Sequence, residues 1–252
     1  MFNPMSMAGR NVLVTGASSG IGREVCILAA RLGAKVILVG RNREQLQATA
    51  EQLDGAPYSI EAFDLHQLDD IKDWLKRVSV EQGSLHGLVH CAGLQMLQPL
   101  RMTKRQKIDE ILRVNFLAAV ELAKAFRHRG VAQKPTSLVF LSSVMGLVGM
   151  PASSIYCASK GALDSFCRSV ALEYADEGIR VNCVSPGLVR TEMSAKMEQQ
   201  MTVEQFAAVQ MAHPLGLGSP QDVANAVAFL LADTGRWVTG TTLVVDGGYT
   251  AK

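Results

Sequence analysis

The sequence has little of what disulfide frameworks, metal sites and polyanion-binding surfaces require. Its five cysteines are an odd number without CxxC pairing, which argues against a disulfide framework or a zinc ribbon and favours a reducing compartment. The five histidines show no HExxH or similar spacing, so we expect no metal. The formal charge is only +2, and nucleic acid is therefore not an expected partner.

Long apolar runs are also absent. No stretch approaches the roughly 18 apolar residues of a membrane span, and residues 1–10 lack the apolar core of a signal peptide. We therefore expect no membrane segment and a cytoplasmic location. Apolar residues at 48% and charged residues at 19% are typical of a globular protein, and 252 residues suffice for one large core.

Short apolar strands alternate with amphipathic helices along the chain. The predicted strands are 11–15, 35–39, 58–63, 87–90, 137–141, 179–184 and 241–245. The predicted helices are 21–32, 44–53, 68–80, 104–128, 154–177 and 222–232. Crossovers of this length are right-handed and make the strands parallel. We therefore predict one α/β domain over residues 1–252, a doubly wound Rossmann sheet of seven strands with helices on both faces.

A glycine-rich turn follows the first predicted strand. Gly16, Gly20 and Gly22 have the spacing GxxxGxG, which lets the backbone approach a pyrophosphate and leaves free helix N–H groups to meet its charge. Its position favours a dinucleotide over a turn that binds nothing or that binds S-adenosylmethionine. No GK[ST] follows the turn, which excludes a Walker loop.

Tyr156 and Lys160 are four residues apart, so their side chains would share one face of a helix. Because such a pair is unremarkable by itself, the inference depends on the motifs around it. These are TGASSGIG at 15–22, Asn115, Ser143, YCASK at 156–160, PGLVRT at 186–191 and VTGTTLVVDGGY at 238–249. In their order and spacing, over nearly the whole chain, these motifs resemble those of the short-chain dehydrogenase/reductase family.

The resemblance implies an NAD(P)-dependent oxidoreductase acting on CH–OH and C=O groups. Tyr156 would transfer the proton, and Lys160 would lower the pKa of Tyr156 and hold the nicotinamide ribose. Ser143 would stabilise the substrate oxygen, and Ser142 is the less favoured of the two serines. Asn115 would hold a water on the proton path to Lys160, with a buried amide satisfied by backbone groups as the alternative.

The resemblance also implies cofactor contacts at the ends of the strands. Asp64 and Leu65 would meet the adenine, although Asp64 could equally be a residue that caps a turn. Arg41 stands where an acidic residue would select NAD, so NADP(H) is favoured over NAD(H), unless Arg41 is merely a solvated loop residue. The other predicted contacts are Thr15, Gly16, Ser18, Ser19, Gly20, Ile21, Gly22, Ala92, Gly93, Tyr156, Lys160, Pro186, Gly187, Val189 and Thr191.

One motif departs from the family. Where the family usually has NNAG, this chain has His90, Cys91, Ala92 and Gly93. Ala92 and Gly93 keep the close backbone approach, but His90 replaces an asparagine that braces the sheet in the family. We expect His90 to be a buried structural histidine and not a new catalytic one.

The last third of the chain suggests which residues would cover the substrate and which subgroup of the family is most similar. Residues 192–213 are expected to form a mobile cover whose methionines suit an apolar ketone such as a 3-oxoacyl thioester, although core packing explains them equally well. Overall length and the tail are most like those of 3-oxoacyl-[acyl-carrier-protein] reductases. The resemblance to the wider family implies a homotetramer. Arg127 and Arg129 could meet an acidic carrier protein, yet Asp176 and Glu177 place negative charge nearby.

Three alternatives stay open at this point. An NAD-dependent dehydrogenase of a secondary alcohol, sugar or steroid would use the same residues in the opposite direction. A non-catalytic module that senses NADPH would have no need to keep four catalytic residues together. A methyltransferase would leave Tyr156, Lys160 and the turn at 186–191 unexplained.

Overall fold

The computed structural model describes residues 3–251, and these fold around one parallel sheet. The sheet has the strand order β3-β2-β1-β4-β5-β6-β7, and every neighbouring pair is parallel. The strands are β1 (Asn11–Thr15), β2 (Lys35–Gly40), β3 (Tyr58–Ala62), β4 (Leu85–His90), β5 (Ala132–Leu141), β6 (Ile179–Pro186) and β7 (Thr242–Val245). The prediction of a doubly wound, seven-stranded sheet is confirmed.

Helices cover both faces of the sheet. They are α1 (Gly20–Arg31), α2 (Arg43–Ala50), α3 (Ile71–Gln82), α4 (Arg105–Leu112), α5 (Ala118–Phe126), α6 (Ser154–Tyr174), α7 (Glu192–Glu198), α8 (Val203–Met211) and α9 (Pro220–Leu231). One apolar layer joins the sheet to α1 and α9, and the other joins it to α3, α5 and α6. Among the described residues, no helix combines the length and apolarity that crossing a membrane requires.

The strand order reverses next to β1, which lies between β2 and β4. In open parallel sheets the crevice at such a switch point, at the carboxyl ends of the strands, is where ligands bind. The first turn after β1 and the loop after β4 therefore face each other across this crevice. Thr15 and His90, the last residues of the two strands, are paired in register.

The predicted helix over 104–128 is interrupted by a wider turn. Arg113–Leu117 form a π-helical segment between α4 and α5, and Asn115 lies in it, completely buried. The Asn115 amide holds the loop after β4, because Oδ1 accepts from the Leu94 N–H at 2.7 Å and Nδ2 donates to the Leu94 carbonyl at 2.9 Å. A π turn widens a helix locally and is frequent at functional sites.

Several element ends differ from the predicted ones for local reasons. β5 begins at Ala132 instead of 137, because its first half is polar and exposed and carries no apolar signal. α2 ends at Ala50 instead of 53, since the chain turns through Asp54 and Gly55, both with positive φ. Residues 68–70 form a 3₁₀ turn, so α3 begins at Ile71.

Candidate active site

The turn after β1 leaves no room for side chains at two of its glycines. Gly16 has φ +68°, and a Cβ there would lie 2.8 Å from the Ala92 nitrogen in the loop after β4. A Cβ on Gly22, in the first turn of α1, would lie 2.2 Å from the Gly16 carbonyl oxygen. Ser19 precedes α1 without a side-chain capping bond, so the first N–H groups of α1 stay available to an anion.

This turn forms one wall of a cleft of about 780 Å³. Ser18, Ser19, Gly20 and Ile21 line the cleft, as do Ala92 and Gly93 in the loop after β4. Thr15 does not line it. Its side chain is completely buried below the turn, where Oγ1 accepts from the Ala92 N–H at 3.2 Å and therefore fixes the loop after β4.

Arg41 and Asp64 lie at the far end of the same cleft, beside Leu65 and His66. The Asp64 carboxylate accepts from the His66 N–H at 3.0 Å and lies 2.9 Å from the His66 ring, so Asp64 does cap a turn. Burial alone would raise the pKa of Asp64, but these hydrogen bonds and the charges of His66 and Arg41 hold it below its usual value. Asp64 is therefore an anion at neutral pH, beside a cation that faces the cleft.

His90 and Cys91 stand at the base of the cleft. The His90 ring is buried, with Nδ1 2.9 Å from Thr15 Oγ1, and burial together with the Lys160 charge lowers the pKa of His90 to about 3. Burial raises the pKa of the Cys91 thiol to about 12, against the Lys160 charge. At neutral pH neither side chain is charged. His90 ties β4 to β1, as a structural histidine would.

Tyr156, Lys160 and Ser143 converge at the inner end of the cleft. Tyr156 and Lys160 share one face of α6, and the Lys160 Nζ lies 5.8 Å from the centre of the Tyr156 ring. Nζ also donates to the Leu141 carbonyl at 2.6 Å, which anchors the ammonium to the end of β5. Ser143 follows β5 and lines the same chamber as the Tyr156 phenol.

Ser142 and Ser143 have different partners. The Ser142 hydroxyl donates to the Lys160 backbone carbonyl at 3.1 Å, so its proton is already used in joining the end of β5 to α6. Ser143 Oγ accepts from the Met145 N–H at 3.2 Å, which leaves its own proton to be donated into the chamber. Asn115 lies behind this group. Its Nδ2 donates to Ser159 Oγ at 3.0 Å, in addition to its bonds with Leu94.

Burial shifts the pKa values of both members of the α6 pair. It raises the pKa of Tyr156 above its usual value, and the neighbouring Ser143 hydroxyl opposes that rise. It lowers the pKa of Lys160 to about 8, against the opposing effects of Cys183, Cys91 and Asp164. We expected the Lys160 ammonium and an oxidised nicotinamide together to favour the phenolate, and that expectation stays a prediction. Desolvation of the phenol acts in the opposite direction.

The cleft continues into an inner chamber of about 180 Å³. The turn after β6 forms one wall, with Pro186, Gly187, Val189 and Thr191. Thr191 Oγ1 accepts from the Ser194 N–H at 3.2 Å and caps α7, so this turn leads directly into the segment formed by α7 and α8. The other wall carries side chains of that segment and of the loops after β4 and β5: Gln95, Met145, Met150, Met193, Met197 and Val209.

The comparisons with known proteins agree with this geometry. A family model described as Enoyl-(Acyl carrier protein) reductase matches residues 16–250. A 3-oxoacyl-[acyl-carrier-protein] reductase of Rickettsia prowazekii is 34% identical over 97% of this chain and 98% of its own length. A glucose 1-dehydrogenase of Gluconobacter oxydans is 36% identical over 96% of this chain and 92% of its own length.

A solved structure is similar over nearly the same length. The crystal structure of a dehydrogenase/reductase from Sinorhizobium meliloti has a TM-score of 0.90 at 31% identity, covering 98% of this chain and 97% of that one. The chain belongs to the short-chain dehydrogenase/reductase family. It is therefore an NAD(P)-dependent oxidoreductase.

The residues that line the cleft of this short-chain dehydrogenase/reductase have the chemistry that a dinucleotide requires. The glycines at 16 and 22 make the turn close enough for backbone contact, and the uncapped start of α1 faces the cleft. Of the residues predicted to contact the cofactor, Thr15 alone lines neither the cleft nor the chamber.

Three further residues of the site were missed by the sequence analysis. His66 lies at the Arg41 end of the cleft, and His213 and Tyr249 line the chamber. No short motif surrounds His66 or His213. Tyr249 ends the tail motif at 238–249, and that position was the only available signal.

Proposed function

We propose that this protein is an NADPH-dependent carbonyl reductase that transfers hydride to the ketone of a neutral, largely apolar substrate, with Tyr156 as the proton donor. The observation that carries the proposal is the convergence of Ser143, Tyr156 and Lys160 on a chamber that opens into the glycine-walled cleft. Both cavities share Cys91, Gly93 and Thr191, so a dinucleotide and a ketone could lie in contact.

The chain offers distinct groups for each part of the cofactor. The start of α1 would hold the pyrophosphate, Arg41 the 2′-phosphate, and Asp64 and Leu65 the adenine. Lys160 uses one N–H for the Leu141 carbonyl, and its remaining donors are free for the nicotinamide ribose. When bound, NADPH supplies the hydride.

The proton and the oxyanion stabilisation would come from the chain itself. The raised pKa of Tyr156 keeps the phenol protonated at neutral pH, as a proton donor in ketone reduction requires. The free Ser143 proton can donate to the same carbonyl oxygen and stabilise the alkoxide as charge develops. The Lys160 ammonium favours the phenolate that remains after transfer.

The chamber favours a neutral substrate. Among its described lining residues, Lys160 is the sole Lys or Arg, and neither Asp nor Glu is present. Four methionines supply flexible, polarisable surface, which suits apolar groups of varied shape. A sugar would place hydroxyls against these methionines, where they lack partners, and each unpaired polar group costs binding free energy.

A carrier-protein substrate has weaker support than a free thioester. The Glu177 carboxylate accepts from Arg127 and from Lys134, the latter at 3.0 Å, so Arg127 of this candidate docking surface is already paired within the chain. Acidic carrier proteins need unpaired cations for steering. We therefore favour a free ketone or a 3-oxoacyl thioester without its carrier protein.

A carbonyl panel tests this function. Purified enzyme would be assayed by NADPH absorbance with apolar ketones, a soluble 3-oxoacyl thioester, its carrier-bound form and an enoyl thioester, and by NADP⁺ reduction with glucose. We expect turnover with ketones or the free 3-oxoacyl thioester. Preferential oxidation of glucose, reduction of the enoyl double bond, or faster turnover with NADH than NADPH at matched low concentrations would refute the proposal.

Arg41→Ala is expected to raise the KM for NADPH about tenfold or more and to leave the KM for NADH nearly unchanged, because only NADPH carries the 2′-phosphate. Arg43→Ala is the matched control, since Arg43 is a nearby cation that does not line the cleft. Initial rates with both cofactors measure the effect. Equal losses with NADPH and NADH in Arg41→Ala, or equal effects of both variants, would contradict the assignment.

The pH dependence should follow Lys160. Since its pKa lies near 8, the side chain is an ammonium below that pH and loses its charge as the pH rises through it. We expect kcat/KM for NADPH, which reports the free enzyme, to be level near pH 7 and to fall through an alkaline limb near pH 8. A level profile up to pH 9.5 would show that the lysine charge is not needed.

Our proposals for the oligomeric state and the cellular location rest on family membership alone. We propose a homotetramer and a cytoplasmic location for this protein, and we expect residues 192–213 to act as the mobile cover of the chamber. The mass in solution measures the first of these.

A further inference from the structure

His213 lies two residues after the end of α8, at the wall of the inner chamber, with only 5% of its surface exposed. Both ring nitrogens have backbone partners. Nε2 accepts from the Leu188 N–H at 3.1 Å, and Nδ1 lies 2.8 Å from the Val209 carbonyl oxygen. An N–H can only donate and a carbonyl can only accept, so these bonds require a neutral ring with its proton on Nδ1.

The two backbone partners belong to different parts of the site. Leu188 lies in the turn after β6 that faces the nicotinamide end of the cleft, and Val209 lies in α8, in the segment over the chamber. The ring also stacks on Tyr249 from the C-terminal segment, with 4.7 Å between ring centres and 25° between planes. One imidazole therefore contacts three segments that are distant in sequence.

The contact between Gly187 and the His213 ring is close. A Cβ on Gly187 would lie 3.0 Å from His213 Nε2 and 2.9 Å from the Asp246 Cα, so the turn presses its backbone directly against the ring. The turn is held on its other side by Gly218, which donates to the Leu188 carbonyl at 3.1 Å and accepts from the Arg190 N–H at 2.9 Å. The Leu188 N–H therefore has its acceptor only while the His213 ring stays in place.

A direct proton-transfer role does not fit this arrangement. The single ring proton is donated to Val209, and the lone pair of the other nitrogen receives the Leu188 N–H. Neither nitrogen is free for a substrate. The ring instead fixes the Leu188 N–H relative to the Val209 carbonyl.

We propose that His213 is a positioning residue that couples the seating of α8 over the chamber to the conformation of the turn at 186–191. The inference rests on the proposed function, because that turn is assigned to the nicotinamide end of the cofactor. If α8 moves away from the chamber, His213 moves with it and the Leu188 N–H loses its acceptor. The turn at 186–191 and the covering segment at 192–213 should therefore become ordered together.

Two variants separate hydrogen bonding from packing. His213→Phe keeps an aromatic ring to stack on Tyr249 but removes both hydrogen bonds, whereas His213→Gln keeps an acceptor and a donor. Met211→Ala is the matched control, because Met211 is the last residue of α8, two positions before His213, and its side chain is 77% exposed. The probes are NADPH and 2′,5′-ADP, which lacks the nicotinamide half.

We expect His213→Phe to weaken NADPH binding about fivefold and to leave the affinity for 2′,5′-ADP unchanged, with His213→Gln restoring much of the loss. In hydrogen exchange of the unliganded protein, His213→Phe should lose protection at residues 188–191 and in α8 together, and Met211→Ala in neither. Equal losses of NADPH and 2′,5′-ADP affinity, equal damage by Phe and Gln, or exchange that changes in only one segment would overturn the coupling. Because neither readout needs turnover, a protein that reduces no ketone would refute the reductase without deciding this test.

Discussion

Tyr156→Phe is expected to lower turnover by about 10² or more while NADPH binding stays nearly unchanged. The substitution removes one oxygen and keeps the ring. Lys160 is held independently by the Leu141 carbonyl, so the ammonium should stay in place when the phenol is gone. The loss should therefore appear in kcat with saturating NADPH and ketone and not in the dissociation constant of NADPH.

The control for this variant is Tyr58→Phe, which removes a phenol oxygen from the exposed strand β3. Its rate should equal that of the wild type. Turnover of Tyr156→Phe within a few-fold of the wild type would exclude the phenol as the proton donor and would direct attention to Ser143 or to water. A loss in NADPH binding of similar size would show that the phenol holds the cofactor instead.

β1, β2, β4 and β6 were predictable because their apolar runs are buried almost throughout. The prediction for β1 coincides with the strand found, and the glycine turn that follows it fixed the end of the sheet at which to look for the site. The placement of Tyr156 and Lys160 on one face of α6 was predictable from helical spacing, whereas the catalytic role proposed for them depended on the family motifs around them. These are local properties of the chain.

What escaped prediction depends on contacts between distant segments. The π turn at 113–117 keeps the helical apolar pattern nearly intact, so the sequence shows one continuous helix. The pairing of Thr15 with His90 is set by strand register, which no local pattern contains. The direction of the Tyr156 pKa shift depends on how completely the phenol is desolvated, and only the packed structure supplies that.

Gly22→Ala is expected to reduce NADPH affinity at least tenfold, on the order of 1.4 kcal/mol or more, and to lower the melting temperature by about 2 to 12 °C. The added Cβ would lie 2.2 Å from the Gly16 carbonyl oxygen and 2.7 Å from its carbon. These are backbone atoms and cannot rotate away. Either the turn or the first turn of α1 must move, and both form the wall at which the pyrophosphate would bind.

Gly149→Ala is the matched control, because a Cβ there has no atom within 4 Å and its φ is not positive. Thermal unfolding with and without NADPH measures stability and binding in one experiment, since a ligand that binds the folded state raises the melting temperature. The two measurements distinguish helix packing from phosphate binding. Loss of the NADPH-induced rise in melting temperature would mean that the displaced turn no longer binds the phosphate. A lower melting temperature with an unchanged NADPH-induced rise would contradict the binding role and leave Gly22 with helix packing alone.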